Sequence, residues 1–168
     1  DTNLQDSDGN TILHCFLKES HDYYSSDTNI KIIFDLIIKN CQIDLKNSNG
    51  KSALHLAVES ENLYYVSELL KNGADINLQD NQGCTPVFSL LPHVEHTITS
   101  RRGENLVKIL DQLIQHKCNF SIPNNNGITA LQMVMQNVKL KGIFIHIFPH
   151  IKKNKAVNQY FIDIIIDA

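Results

Sequence analysis

Apolar residues recur along the chain at helical spacing in short blocks, and polar, glycine-containing segments separate these blocks. Leu54 and Ala57 form one block, and Val66, Leu69 and Leu70 form the next. Spacings of three and four positions place apolar side chains on one face of a helix. We therefore predict a first helix at about 52–59 and a second at about 63–71, with these five residues in the core.

The segment from Gly73 to Pro86 combines a helix stop, a turn and a helix start. Glycine can adopt the left-handed conformation that ends a helix. Residues 80–83 have the Asp, Asn and Gly content of a tight turn. Thr85 can cap the next helix, and proline suits the first helical position. The segment therefore predicts a hairpin-shaped connection between two helices.

This combination of helix stop, turn and helix start recurs along the chain, which indicates a repeat protein. Residues 1–6 match residues 75–80 at five of six positions, and the helix-start signal follows Gly9, Gly50, Gly83 and Gly127. Gly50 and Gly83 are 33 positions apart, whereas the flanking spacings are 41 and 44, which implies insertions of 8 and 11 residues.

The pairs Leu36-Ile37, Leu69-Leu70 and Leu113-Ile114 each begin fourteen positions before the next glycine. We therefore expect the second helix and the hairpin to keep their length in every repeat. The insertions are then predicted to lie between the two helices, at about 19–29 and 92–103.

In the first repeat we predict a helix that begins at Thr11 and a second helix at about 30–39. Ile33, Leu36 and Ile37 are expected to face inward, and Asn40 is expected to take the left-handed conformation at the helix end.

The third repeat predicts helices at about 85–91, ended by Pro92, and at about 104–116. The fourth begins at Thr129 with Leu131, Val134 and Met135 inside. Residues 142–148 alternate partly like a strand, but their place in the repeat favours its second helix, disturbed near Pro149. A last apolar helix at about 156–167 is predicted to cap the stack, and a strand over residues 160–166 is the alternative.

The runs Gly-Lys-Ser-Ala-Leu-His-Leu-Ala at 50–57 and Leu-Leu-Lys-Asn-Gly-Ala-Asp-Ile-Asn at 69–77 closely resemble an ankyrin repeat. The resemblance covers most of residues 1–152. Phe88 and Gln132 replace the usual His, and Lys117 stands in the place of Gly73. The resemblance implies an all-α solenoid of stacked helix-turn-helix units, linked by β-hairpin loops and closed by the C-terminal capping helix.

We expect one ankyrin-repeat domain over residues 1–168, as a fragment of a longer protein. Its predicted parts are the tail of a preceding repeat at 1–5, repeat 1 with its insertion at 6–46, repeat 2 at 47–79, repeat 3 with its insertion at 80–123, a degenerate repeat 4 at 124–152 and a cap at 153–168.

Charge and composition exclude several classes of protein. The net charge is −3 and the pI is about 6.2, without the basic face of a dedicated nucleic-acid binder. There is no apolar run of about 18 residues and no signal-peptide pattern at the polar start. Four cysteines without close pairing indicate reduced thiols. We therefore expect an intracellular protein, cytoplasmic or nuclear, monomeric as a fragment, that contacts neither membranes nor nucleic acid directly.

Thr11/His14 and Ser52/His55 each place a hydroxyl and an imidazole one helical turn apart. This spacing is compatible with a nucleophile and its base, but no acid is placed to orient either imidazole. We interpret both pairs as helix-start structures, and we predict no catalytic residue.

His93 and His96, with Glu95 between them, offer ligands to a borderline metal ion. No further Cys/His pair completes a tetrahedral set, so we predict neither a metal nor a cofactor. His93 is expected to be a contact residue instead. Cys41 and Cys118 are predicted to be small buried residues, whereas Cys84 is expected to be more exposed.

The resemblance implies a concave surface lined by hairpin tips and first helices. Positions that differ between the repeats are predicted to contact a partner there, with further contacts from the two insertions. The predicted contact residues are Ser7, Asp8, Asn10, Lys18, Tyr23, Tyr24, Ser48, Asn49, Lys51, Glu59, Asn81, Gln82, His93, Arg101, Arg102, Asn125 and Asn126, together with Gln136.

This set is polar, mixed in charge and poor in aromatic residues, which favours a wet interface over an apolar ligand pocket. We therefore expect a non-catalytic module that binds a protein or an extended peptide. One alternative is an inhibitor similar to the IκB class, which grips a transcription-factor dimer. Another is the targeting domain of a larger enzyme or of a pathogen effector.

Overall fold

A computed structural model describes residues 1–19, 28–94 and 101–136. Helices occupy most of these residues, and short polar connections join them. The helices are α1 (Ile12–Glu19), α2 (Thr28–Lys39), α3 (Ala53–Glu59), α4 (Leu63–Lys71), α5 (Pro86–Val94), α6 (Arg101–Gln115) and α7 (Ala130–Gln136).

The helices form two layers. The first helices of successive units stack in chain order, α1 on α3, α3 on α5 and α5 on α7. In each of the first three units, the second helix packs against the first, and α4 also packs against α6. This arrangement confirms the predicted helical solenoid. Within the described ranges, the hairpin-shaped connections contain no β-strand, and an isolated antiparallel bridge joins Pro123 to Thr129.

The core of the second unit is as predicted. Leu54, Ala57, Val66 and Leu69 are fully buried and Leu70 is 6% exposed. Full burial of one aliphatic side chain of this size stabilises a fold by roughly 1.5–3 kcal/mol. This regular unit therefore supplies a continuous apolar centre against which the less regular units pack.

The inward face of α2 differs from the prediction. Ile33 and Leu36 are 49% and 58% exposed, whereas Phe34, Ile37 and Ile38 are buried. The buried pair in this helix begins thirteen positions before Gly50, not fourteen, so the connection after α2 is one residue shorter than in the next two units. The prediction of equal connection lengths was wrong for the first unit.

The short connection also explains Asn40, which does not take the predicted left-handed conformation. Its side-chain amide donates to the carbonyl of Leu36 at 2.8 Å, as the amide of Asn72 does to Glu68 at 2.8 Å. Asn40 therefore matches Asn72. In the third unit Lys117 does adopt a φ of 64°, and it takes the conformation that glycine holds in the second unit.

Pro92 does not end α5, which continues to Val94. Proline fits the helical φ, and its missing N–H removes one helical hydrogen bond, yet the helix continues for two further residues. Helix α6 begins at Arg101, three residues earlier than predicted. Arg101 and Arg102 thus lie in the first turn of a helix and not in a loop.

In the fourth unit, Leu131 and Val134 of α7 are buried as predicted, at 4% and 1% exposure. The prediction for the Met135 side chain lies outside the described residues. So do the insertion residues Tyr23 and Tyr24, the second helix of the fourth unit and the capping helix.

Candidate interaction surface

A short polar side chain anchors each hairpin. Asp80 accepts hydrogen bonds from the backbone N–H groups of Gln82 at 2.9 Å and Cys84 at 2.8 Å through one carboxylate oxygen. The same two bonds recur at Asp6, Asn47 and Asn124. At Asp6, hydrogen bonds from Asn10 lower the pKa of the carboxyl below its ordinary value. An Asp or Asn at this position therefore fixes the shape of every hairpin.

Backbone hydrogen bonds join each hairpin to the one before it. They run from Ser48 N to Asp8 O at 2.9 Å, from Asn81 N to Asn49 O at 3.1 Å and from Asn125 N to Gln82 O at 2.9 Å. The side-chain amides of Asn81 and Asn125 add bonds of 2.8 Å and 2.9 Å to the preceding tips. The four hairpins are thus held at a fixed spacing.

One side chain at each tip remains available to a partner. These side chains are exposed and have no hydrogen-bond partner among the described residues, although their own backbone groups are bonded. We call this set the tip row, and its members are Asp8, Asn49, Gln82 and Asn126. Each stands directly before the glycine of its hairpin, so the tip row presents one free polar side chain per unit.

Some predicted contact residues make contacts within the fold. Asn10 is only 4% exposed, because its amide donates to the Asp6 carboxylate and its oxygen accepts from Asn47 at 3.2 Å. Lys51 and Glu59 form a partly exposed ion pair with each other. We therefore leave Asn10 out of the proposed surface.

Other predicted contact residues are accessible or lie outside the described side chains. Ser7, Lys18 and Ser48 are exposed, and so are Asn81 and Asn125 beside the tip row. The side chains of Tyr23, Tyr24, His93, Arg101, Arg102 and Gln136 are outside the described part of the chain.

The two hydroxyl–imidazole pairs act in the structure of the repeat. The His55 ring accepts from the N–H of Ser52 at 3.2 Å, and its second nitrogen lies 3.0 Å from the carbonyl oxygen of Cys84. Nε2 therefore donates to this carbonyl oxygen, and Nδ1, which accepts from the Ser52 N–H, also accepts from the Ser52 hydroxyl at 2.9 Å. His14 makes the equivalent contacts with Thr11 and with the carbonyl oxygen of Lys51.

Burial accounts for the chemistry of these histidines. Ser52 and His55 are fully buried, and Thr11 and His14 are 2% and 1% exposed. Burial lowers the pKa of both imidazoles below 6.5, so they are neutral at neutral pH. No substrate reaches a hydroxyl in this position. Each histidine instead accepts from a free N–H at a helix start and donates to a carbonyl oxygen of the next hairpin.

The third and fourth units depart from this arrangement. Gln132 closes its helix start as His55 does, because its side-chain oxygen accepts from the N–H of Thr129 at 2.7 Å. Phe88 has no such group, and the buried hydroxyl of Thr85 has no hydrogen-bond partner among the described residues. The sequence showed the Phe88 substitution, but only the structure showed the unpaired hydroxyl that accompanies it.

All four cysteines are free thiols. Cys41 and Cys118 are only partly buried, not fully as predicted, and both pack against the core. Burial raises the pKa of Cys118 to about 12 and also raises the pKa values of Cys41 and Cys84. These three thiols are therefore protonated at neutral pH.

Two further properties concern the described ranges only. Within residues 1–19, 28–94 and 101–136, no three His, Cys, Asp or Glu side chains lie where they could hold a metal ion. None of the helices in this part of the chain has the length and apolar character needed to cross a membrane.

Comparisons with known proteins agree with the repeated hairpins. Residues 1–80 match the family model for ankyrin repeats in three copies. A putative ankyrin repeat protein of Rickettsia felis is 30% identical over 127 residues, which cover 71% of this chain and 53% of that protein. The nuclear factor NF-kappa-B p105 subunit of Gallus gallus is 29% identical over 137 residues, which cover 80% of this chain but 13% of that protein. The chain thus spans about half or less of these relatives.

A solved structure has the same fold. The ankyrin repeat domain from Acinetobacter baumannii AYE aligns with a TM-score of 0.67 at 18% identity, covering 86% of this chain and 68% of that chain. Ankyrin repeats generally act as modules that bind other proteins on the surface of a stacked array. The repeated hairpins, the two helical layers and these similarities together show that the chain belongs to the ankyrin repeat family.

Proposed function

We propose that the chain is a non-catalytic module that binds another protein or an extended peptide along the tip row and the neighbouring face of the first helices. The observation that carries this proposal is the tip row itself. Four side chains at equivalent positions are exposed and make no hydrogen bond to any described residue, while the backbone beneath them is held by hairpin-to-hairpin hydrogen bonds.

The chemistry of the tip row fits a polar partner. Asn49, Gln82 and Asn126 each offer both a donor and an acceptor, and Asp8 adds one negative charge. Such groups pair well with the main chain of an extended peptide or with polar side chains at a hydrated interface. Because the hairpins are already fixed, little conformational entropy of the backbone is lost on binding.

A test compares two fourfold alanine variants. The first replaces Asp8, Asn49, Gln82 and Asn126, and the second replaces four exposed residues on the second helices, namely Lys39, Lys71, Lys108 and Gln115. A partner captured with the unchanged chain is then titrated against each variant by calorimetry. We expect at least a tenfold loss for the first variant, little change for the second and near-equal thermal midpoints. Equal affinity for both variants would place the binding surface elsewhere.

The insertions form a second part of the proposed surface. Tyr and Arg are favoured at binding hot spots. Tyr23-Tyr24 belong to the first inserted segment, and Arg101-Arg102 follow the second one in the first turn of α6. Replacing all four by Ala should weaken binding more than tenfold without changing thermal stability. Unchanged affinity would remove the insertions from the surface and leave the tip row as the proposed site.

A second candidate is the sequestration of a transcription-factor dimer. The 29% identity with the NF-kappa-B p105 subunit over most of this chain favours it. Mixing the chain with a purified NF-kappa-B dimer and measuring the mass of the complex tests this candidate directly. Absence of a complex at micromolar concentrations would refute it and leave the general proposal intact.

A further inference from the structure

An apolar face lies at the N-terminal end of the described stack. Ile12 of α1 and Ile33 of α2 are both 49% exposed, and Leu4 in the first hairpin is 70% exposed. Ile32 and Leu36 of α2 are also exposed, by 51% and 58%. Natural repeat arrays need a polar outer face at their ends to stay in solution. Apolar side chains at this end therefore call for a covering element.

The later units show what covers the same positions. Ile33 corresponds to Tyr65 of α4 and Ile109 of α6, both fully buried, whereas Ile12 corresponds to the fully buried Ala53 and Ala130. Tyr65 is buried against the preceding unit, with its ring 4.5 Å from the ring of Phe34 and 5.8 Å from that of Phe16. At this position the second unit therefore packs its apolar side chain onto the helix pair before it, and the same position is equally buried in the third unit.

Backbone groups at this end lack the bonds to a preceding unit that the later units make. The N–H groups of Ser48, Asn81 and Asn125 donate to the preceding hairpin, but the equivalent N–H of Ser7 has no partner among the described residues. The carbonyl oxygens of Lys51 and Cys84 each accept from a backbone N–H and from a histidine of the preceding unit. The equivalent carbonyl oxygen of Asn10 accepts from Asp6 N within its own hairpin.

We propose that this N-terminal face, formed by Leu4, Ile12, Ile32, Ile33 and Leu36 with the Ser7 N–H and the Asn10 carbonyl, is the docking surface for an ankyrin-type helix pair that directly precedes residue 1 in the same polypeptide. Residues 1–6 match residues 75–80, which are separated from the second helix of their own unit by only three residues. A helix pair that ends at this junction covers the apolar side chains and brings a hairpin carbonyl within reach of Ser7.

A fusion protein built from the chain's own sequence tests the proposal. Residues 47–74, which contain the helix pair α3 and α4, are placed directly before Asp1. The new junction matches residues 74–80 except that Thr2 stands in the place of Ile76. We expect the thermal midpoint to rise by about 5 °C or more, the helical signal at 222 nm to increase and amide exchange at Ser7 to slow. A fusion without the added helical signal or with an unchanged midpoint would overturn the proposal.

Two substitutions make the readout specific. Ile33→Glu in the fusion should abolish the gain in midpoint, whereas Lys39→Glu, at an exposed position at the end of the same helix, should retain it. In the chain without the fusion, Ile33→Glu should shift the midpoint by no more than about 2 °C, since Ile33 is half-exposed there.

The other possible occupants give different results. A large loss of stability from Ile33→Glu in the unfused chain would mean that another part of this chain already covers the face. A dimer by light scattering that Ile33→Glu converts to a monomer would assign the face to a second copy. Either result overturns the proposal.

Discussion

His55→Phe tests the role assigned to the buried histidines, because it copies into the second unit the residue that the third unit has at position 88. The substitution removes the ring nitrogen that accepts from the N–H and the hydroxyl of Ser52, as well as the bond to the carbonyl oxygen of Cys84. That carbonyl keeps its bond from Asp80 N. The N–H and O–H donors of Ser52, however, are left without an acceptor in a fully buried place.

A buried donor without an acceptor costs about 1–3 kcal/mol. For the two Ser52 groups together we expect His55→Phe to lower the free energy of unfolding by about 2–4 kcal/mol. The reverse change, Phe88→His, should raise it by about 1 kcal/mol, because the ring would give the unpaired Thr85 hydroxyl an acceptor.

Urea unfolding followed by circular dichroism at 222 nm measures both changes, as shifts of the midpoint at constant slope. His55→Gln is the matched control. The oxygen of Gln132 accepts from the helix-start N–H at 2.7 Å, so the glutamine variant should lose only the bond to the next hairpin. Its free energy of unfolding should fall by about half as much as that of the His55→Phe variant. A His55→Phe variant as stable as the unchanged chain would refute the structural role of the imidazole.

Three further predictions follow from the described geometry. Because burial lowers the pKa of His14 and His55 below the 6.5 of an exposed imidazole, unfolding takes up protons at acidic pH. The free energy of unfolding should be full above about pH 6.5 and should decrease as the pH falls below it in urea titrations, and replacing both histidines by Gln should flatten this profile. Gly50→Ala should cost more than Gly127→Ala in thermal melts, since both have positive φ but only at Gly50 would a Cβ lie 2.3–2.4 Å from atoms of the next hairpin; equal losses would mean that the hairpins do not approach this closely. Lys117→Gly should raise the free energy of unfolding by about 1 kcal/mol in urea, because a φ of 64° costs a side chain roughly that amount, and a loss would contradict the left-handed helix end.

The regular parts of the fold could be predicted because several local signals agree there. In the second unit, the capping serine, the apolar spacing and Gly73 each point to the same helix ends, and the predicted second helix coincides with α4. The hairpins were predictable for the same reason. Asp80 and its equivalents carry a side chain whose bonding pattern depends only on neighbouring residues.

The face of α2 could not be predicted because its sequence is apolar almost all the way round. Ile30, Ile32, Ile33 and Phe34 precede Leu36, Ile37 and Ile38, so several choices of inward face satisfy helical spacing equally well. The choice depends on a connection that is shorter by one residue. A deletion adds no residue to the sequence, so nothing in the sequence indicates where the connection is shortened.

The contact residues were predictable only in part, because a polar residue type and a place at a hairpin tip do not distinguish a free side chain from a bonded one. Asn10 and Asp8 are both polar residues at a hairpin tip, yet Asn10 is bonded to Asp6 and Asn47, whereas the Asp8 side chain bonds to no residue that the structure describes. Which polar residue finds a partner depends on the next hairpin along the stack. This information is contained in the spacing between units and not in any one of them.

The bonds that hold neighbouring hairpins together have a consequence for how the protein can change. They run through backbone groups and through Asn81 and Asn125, and they do not use the side chains of the tip row. A substitution at Asn49 or Gln82 therefore removes no bond on which folding depends. Mutation can alter what these positions recognise without a loss of stability, so one scaffold can acquire new partners through single amino-acid substitutions.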